Sequence, residues 1–269
     1  MLDIGAFTRV ERATGGSDTM VWRLERGDRQ YALRVFRAHQ IATLRRELVA
    51  VEAALGGGVP VPRVYAIGTY KQRPALLTAW CGGRQLLDEL RQRPSHALAL
   101  GVQFGRWQAA IHRIEPPTSL RANWIDWAGP LEPGFAHHLE RLSSARRPRL
   151  LHLDYHPLNV LVRHGQVSAV LGWTNAHAGD PRADCARTVT MLRLHPPRGG
   201  PGERAVRLLL EIGWRYGYGP LETDMAPFYA WAGMAMQHDL ASRLSTSELA
   251  HIRRWTAGWK RRLSPRMSR

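Results

Sequence analysis

From Thr8 to Phe36 apolar and polar residues alternate with a period of two, interrupted by a turn at Ala13-Thr14-Gly15-Gly16-Ser17-Asp18 and another at Arg26-Gly27-Asp28. That rhythm predicts a three-strand meander with a glycine pair at its first tip. The period then lengthens. Ile41, Leu44, Leu48, Val51 and Leu55 recur at steps of three and four, which predicts a helix over 41–55 with those residues on its buried face. Gly56-Gly57-Gly58 stops it, and Pro60 and Pro62 keep it from restarting. Two strands are expected next, over 64–68 and from Pro74 onward, the second running into a hinge at Gly82-Gly83.

Beyond the hinge the pattern is mostly helical. Helices are expected over 85–90, 95–114, 133–144, 181–194, 203–216, 225–244 and 246–263. Ser95 is the expected cap of the second, with Leu98, Val102, Trp107 and Ile111 facing a core. The last helix is preceded by Ser245-Thr246-Ser247-Glu248, which has the form of a capping box. Trp124 and Trp127 fall in an irregular stretch, while Trp231, Met234 and Met236 read as core packing. The Pro- and Gly-rich segment 196–202 reads as a surface linker or a lid over a pocket, and 264–269 as a disordered tail.

Between residues 150 and 171 the helical pattern is broken by strand, polar loop, strand, tight turn (His164-Gly165), strand. The polar loop sets Asp154 two residues after His152 and Asn159 five residues further on. Both residue types form ordinary turns. They also suit phosphoryl transfer, in which a carboxylate orients an attacking hydroxyl and a neutral amide ligates a hard cation without adding charge beside it.

The run HLDYHPLNVLV followed by GWTNAHAGDPRAD resembles the aminoglycoside phosphotransferase-like, or choline-kinase-like, family of small-molecule kinases, whose pattern is His-Gly-Asp-x-His-Pro-x-Asn, Ile-Asp-Trp and Gly-Asp-Pro-x-x-Asp. The resemblance implies an α+β, two-lobed protein-kinase-like fold, with a small antiparallel β-rich lobe over 1–80 and a larger, mainly helical lobe over 81–269. It implies ATP and magnesium, with Asp154 orienting a small-molecule hydroxyl and Asn159 holding the metal. Gly15, Gly16 and Ser17 would then lie on the nucleotide loop, Arg34 on the phosphates, and Glu47 in ion pair with Arg34. Ala79 and Cys81 would meet adenine through backbone C=O and N–H groups. Without the resemblance, Glu47 reads as a solvated helix charge, Arg34 as an exposed strand residue and the glycine pair as a plain hairpin turn. Asp180 and Asp184 read as loop-bracing or capping residues.

The protein departs from the pattern twice. Leu153 replaces a glycine, a minor change, and Gly172 replaces the aspartate that is the principal magnesium ligand of kinases. Three outcomes stay open: a slow enzyme, a displaced acid that substitutes, or a pseudokinase that binds nucleotide or metabolite without turnover.

Composition narrows the partners. Thirty-eight basic against 22 acidic residues give +16, nearly all of it arginine. The arginine clusters (Arg45-Arg46, Arg146-Arg147, Arg253-Arg254) are dispersed and not interleaved with aromatics, so a solvated basic surface is expected rather than a dedicated nucleic-acid site. Such a charge favours a neutral or anionic hydroxyl substrate over a polycation, unless Glu222, Asp224 and Asp239 form a local acidic pocket. Cys81 and Cys185 form no disulfide or metal pattern, and no apolar run reaches about eighteen residues, so a cytoplasmic protein with no membrane span is expected. No motif specifies an oligomeric state.

Overall fold

The structure, a computed structural model, describes residues 7–13, 19–194 and 201–263. It is two-lobed and α+β. The small lobe is a five-stranded antiparallel sheet in the order β1-β2-β3-β5-β4, built from β1 (Arg9–Arg12), β2 (Met20–Arg26), β3 (Arg29–Val35), β4 (Val64–Tyr70) and β5 (Arg73–Ala79). Leu24, Leu33, Val35 and Ala75 bury one face of it. Helix α1 (Ile41–Gly56) leaves this sheet and joins the large lobe's core through Ala50, Val51 and Ala54.

The large lobe follows the hinge: β6 (Arg84–Gln85), α2 (Leu86–Gln92), α3 (Ala97–Ile111), α4 (Pro133–Ser144), β7 (Arg149–Leu151), β8 (Val160–Arg163), β9 (Gln166–Val170), β10 (His177–Gly179), α5 (Pro181–Leu194), α6 (Pro201–Tyr218), α7 (Met225–Leu240) and α8 (Ala250–Arg261). Strands β6, β8 and β9 form one small antiparallel sheet, and β7 pairs with β10. The β8–β9 hairpin turns on His164 and Gly165, at φ of 52° and 72°, the left-handed pair that a two-residue hairpin requires. No helix among the described residues is long and apolar enough to cross a membrane.

Several expected faces and boundaries are corrected. On α1 the buried residues are Leu44, Glu47, Ala50, Val51 and Ala54, whereas Ile41 and Leu55 are exposed. On α3 the buried face is Ala97, Leu100, Gly101, Phe104, Gly105, Gln108 and Ile111, and Leu98 is exposed. The cause is close packing of α3 on α6. A Cβ on Gly101, Gly105, Gly213 or Gly217 would collide with the backbone of the facing helix, so glycines rather than large apolar residues mark this seam. Ser95 makes no cap; it lies in a 3-10 turn, Pro94–His96, that precedes α3. The capping box at Ser245–Glu248 does form, with Ser245 N–H donating to Glu248 Oε2 at 2.8 Å, yet α8 begins only at Ala250. Helix α7 ends at Leu240, and α6 starts at Pro201, inside the expected loop. Trp124 is fully buried in a 3-10 turn, 4.7 Å edge-to-face from Trp231. The expected linker or lid at 196–200 and the tail at 264–269 lie outside the described residues.

Candidate active site

The loop from His152 to Asn159 bridges β7 and β8, and it is clamped from behind by α5. Asp184 accepts the N–H of Leu153 on Oδ1 at 2.8 Å and that of His152 on Oδ2 at 2.9 Å. His112, at the end of α3, meets the same Oδ2 through Nε2 at 2.9 Å and Tyr218 through Nδ1 at 2.8 Å. Burial opposes charge on Asp184, but the hydrogen bond and charge of His112, with His152 beside it, hold its carboxyl below the usual range. Arg187 Nε donates to Leu153 C=O at 3.2 Å while its Nη2 pairs with Asp239 at 2.8 Å.

Between these anchors Leu153 is held at a φ of +58°, with its side chain buried. This is the position where the family pattern has glycine. A left-handed non-glycine residue costs about 1–2 kcal/mol, so the departure is less minor than the sequence suggested; burial of the leucine offsets the strain.

His152 fixes the next turn. Its Nδ1 accepts the N–H of Asp154 at 3.2 Å, so the proton sits on Nε2, which donates to Leu171 C=O at 2.8 Å. Complete burial pushes its pKa down and keeps the ring neutral. Asn159 Nδ2 donates to both the backbone O and Oδ2 of Asp154 at 2.9 Å, and His156 Nε2 lies 3.4 Å from Asp154 Oδ1. Burial alone would raise the Asp154 pKa. The hydrogen bond and charge of His156, with Arg187 and His152, outweigh it and bring the carboxyl down to about 2. Its side chain keeps 29% of its surface, so the charge is partly open to solvent. Asp154 and Asn159 are therefore one hydrogen-bonded unit. Asp180 caps α5 by accepting the Arg182 N–H at 2.9 Å and also pairs with the Arg182 guanidinium.

Across the cleft, Arg34 on β3 donates to Glu47 Oε1 on α1, and its guanidinium lies 5.3 Å from the Phe36 ring. Glu47 is 3% exposed, so it is a buried ion-pair member and not a solvated charge; its Oε2 has no hydrogen-bond partner among the described residues. At the hinge Ala79 N–H is committed to Arg63 C=O at 2.8 Å and Trp80 N–H to Gln30 C=O at 3.1 Å. Cys81 N–H is committed to no acceptor among the described residues. Gly15, Gly16 and Ser17 lie outside the described residues.

Gly172 follows β9 at φ +79°, and a Cβ there would fall 2.7 Å from Asn159 Nδ2 and 2.9 Å from its Oδ1. The amide of Asn159 fills the space that a side chain at 172 would enter. No three Asp, Glu, His or Cys side chains among the described residues converge as a metal cage. Magnesium does not need one: it is commonly held by one or two carboxylates, phosphates and water. Asn159 Oδ1 and the Asp154 carboxylate, on side chains held together by a hydrogen bond, have the hard-donor chemistry that fits such an ion. The acids expected to form a cation pocket are otherwise engaged: Asp239 accepts from Arg187 and from Trp127 Nε1, and Glu222 pairs with Arg146.

His112 and Arg187 escaped sequence reasoning, which expected the Glu47–Arg34 pair from the resemblance but not the burial of Glu47. His112 and Arg187 stand 72 and 3 positions from Asp184, and neither spacing belongs to a local motif. Burial of a glutamate on an apolar helix face was the one available signal, since Glu47 falls in step with Leu44 and Val51.

This architecture is shared by solved small-molecule phosphotransferases. A thermostable mutant of aminoglycoside phosphotransferase APH(4)-Ia, in a ternary complex with AMP-PNP and hygromycin B, matches with a TM-score of 0.65 at 16% identity, over 96% of this protein and 94% of that one. An aminoglycoside-3'-phosphotransferase of type VIII matches with 0.60 at 21% identity, over 86% and 95%. A putative fructosamine-3-kinase from Haemophilus somnus 129PT matches with 0.60 at 12% identity, over 94% and 91%. At such identities the likeness establishes the protein-kinase-like fold. A search of curated protein sequences finds no match. The profile of the phosphotransferase enzyme family, APH, matches residues 9–142 and 134–227, and the protein belongs to that family.

Proposed function

We propose that the protein transfers the γ-phosphoryl group of ATP to a hydroxyl of a small molecule. The observation that carries this reading is the Asp154–Asn159 unit, presented by a loop that Asp184 and Arg187 brace from the rear. Asp154, ionised at any physiological pH, orients the attacking hydroxyl through a hydrogen bond. With a pKa near 2 it is a weak base, so its part is alignment of the oxygen, with the proton leaving late, as suits a loose phosphoryl transition state. Arg34, held by Glu47, sets the nucleotide phosphates, with forked donors replacing the point charge of a lysine. Ala79 C=O and Cys81 N–H receive adenine. Magnesium, when bound, neutralises charge on the β- and γ-phosphates; Asn159 Oδ1 would hold it.

A second reading is favoured by one feature. The Asn159 amide occupies the place of the side chain that Gly172 lacks, which suits a pseudokinase that binds nucleotide or metabolite without turnover. For the acceptor, the net charge of +16 and the engagement of Asp239 and Glu222 in ion pairs favour a neutral or anionic hydroxyl compound.

ATP consumption across a panel of hydroxyl compounds, with the native protein and Asp154→Ala, separates the readings. Turnover lost in Asp154→Ala supports the enzyme. Nucleotide-induced thermal stabilisation without turnover supports the pseudokinase.

A further inference from the structure

We propose that Glu47 supplies the carboxylate oxygen that Gly172 lacks, and is a cation ligand of the nucleotide site as well as the partner of Arg34. The proposal rests on the phosphotransferase reading and deepens it.

Glu47 lies on the buried face of α1, one turn before Ala50 and Val51 and two before Ala54, which enter the same core cluster as Trp173. Helix α1 packs along the 3-10 turn Trp173–Asn175, and Gly172 is the residue from which the turn starts. Helix α1 therefore runs beside the turn that carries the position of the lost acid, and the Asn159 amide sits where a Cβ at 172 would be.

The two oxygens of Glu47 have different fates. Oε1 accepts from Arg34, whereas Oε2 is buried and accepts nothing among the described residues. An unsatisfied buried acceptor is costly, more so on a charged group, and proteins keep few of them. A hard divalent cation would satisfy it. The donors then available, Glu47 Oε2 and Asn159 Oδ1 together with nucleotide phosphate and water, form the sparse all-oxygen set from which magnesium is bound. Arg34 cannot take this place, because a guanidinium ligates no cation. Asp154 is a poorer replacement, since its Oδ2 already accepts from Asn159 and its other oxygen faces His156.

The test is the magnesium increment, the ratio of ATP affinity in magnesium to that in EDTA, measured by isothermal titration calorimetry. The native protein is expected to show an increment of about tenfold, within the usual range of ligand coupling. Glu47→Gln, which keeps an oxygen for Arg34, should bring that ratio close to one. Arg34→Gln, which frees both Glu47 oxygens, should weaken ATP binding and preserve the ratio. A ratio that Glu47→Gln leaves intact, or a native protein that binds ATP with no increment, overturns the role of Glu47 while the nucleotide site stands. Absence of ATP binding in both buffers overturns the phosphotransferase reading as well. Should Glu47→Gln not fold, Glu47→Asp decides instead: its shorter carboxylate should lower the ratio severalfold, and an unchanged ratio overturns the role.

Discussion

Asn159 and Gly172 compete for one volume. The side-chain amide that Asn159 donates to Asp154 lies within 3 Å of where any Cβ at position 172 would be, so the amide can hold its present place only while residue 172 is glycine. Restoring an aspartate there therefore does two things at once: it adds a carboxylate and evicts the amide.

The first prediction concerns this exchange. Gly172→Ala should lower the unfolding free energy by about 1–2 kcal/mol, because alanine is strained at φ +79° and crowds Asn159. Gly172→Asp should cost less than alanine, since Asp tolerates left-handed backbone better. Urea titration of the three proteins reads the difference. A crystal structure of Gly172→Asp should show Asn159 rotated off Asp154.

The second prediction concerns the brace. Asp184 is wholly buried and accepts two loop N–H groups and the His112 ring. In Asp184→Asn one oxygen becomes an NH2 that faces a donor, and the charge that draws those hydrogen bonds is lost. Stability should fall by about 2–4 kcal/mol, and loop amides 152–154 should exchange faster with deuterium. Unchanged exchange at those amides would show that the loop is held some other way.

Much of this arrangement was legible in the sequence, and what was missed has a common cause. The starts of α4 and α5 fall where the sequence predicts because proline opens each at its first turn. The Asp154–Asn159 loop was readable because strand rhythm flanks a short polar motif. By contrast, the α3–α6 seam was invisible to hydrophobic periodicity, because its contacts are made by glycines, which carry no apolar signal. The clamp of His112 and Arg187 is a tertiary event, and a histidine or arginine inside a helix has no local mark of it. Leu153 looked innocuous because a leucine carries no mark of left-handed backbone, although the glycine of the family pattern at that place is such a mark.

The seam gives a third prediction. Gly105 faces the Trp214 carbonyl and Gly217 the Val102 carbonyl, so relief requires the two helices to separate. Gly105→Ala should destabilise the protein by about 3 kcal/mol or more, the upper part of the overpacking range, and by far more than Gly27→Ala in the open hairpin turn. Thermal unfolding of both variants compares them directly.

The fourth prediction is a pH dependence in two windows. Asp154 has a folded pKa of about 2 against an ordinary 3.8, so its stabilisation is complete above pH 3.8 and is lost as pH falls towards 2. The difference amounts to about 2 kcal/mol, and Asp154→Asn should remove that part of the acid limb. His152 acts higher. Its folded pKa lies below the ordinary 6.5, so the unfolded state takes up a proton first and stability declines as pH drops below 6.5. Denaturant unfolding from pH 8 to pH 2 should show the His152 decline in the native protein, a shallower one in His152→Gln, and a smaller loss below pH 3.8 in Asp154→Asn.

The position of a bound ATP analogue tests the central claim most directly. In a crystal of the protein with AMP-PNP, the terminal phosphate should lie in the cleft between Arg34 and the Asp154–Asn159 unit, with the Asp154 carboxylate open towards it. An analogue bound elsewhere, or in the cleft with its terminal phosphate turned away from Asp154 and Asn159, would contradict the account.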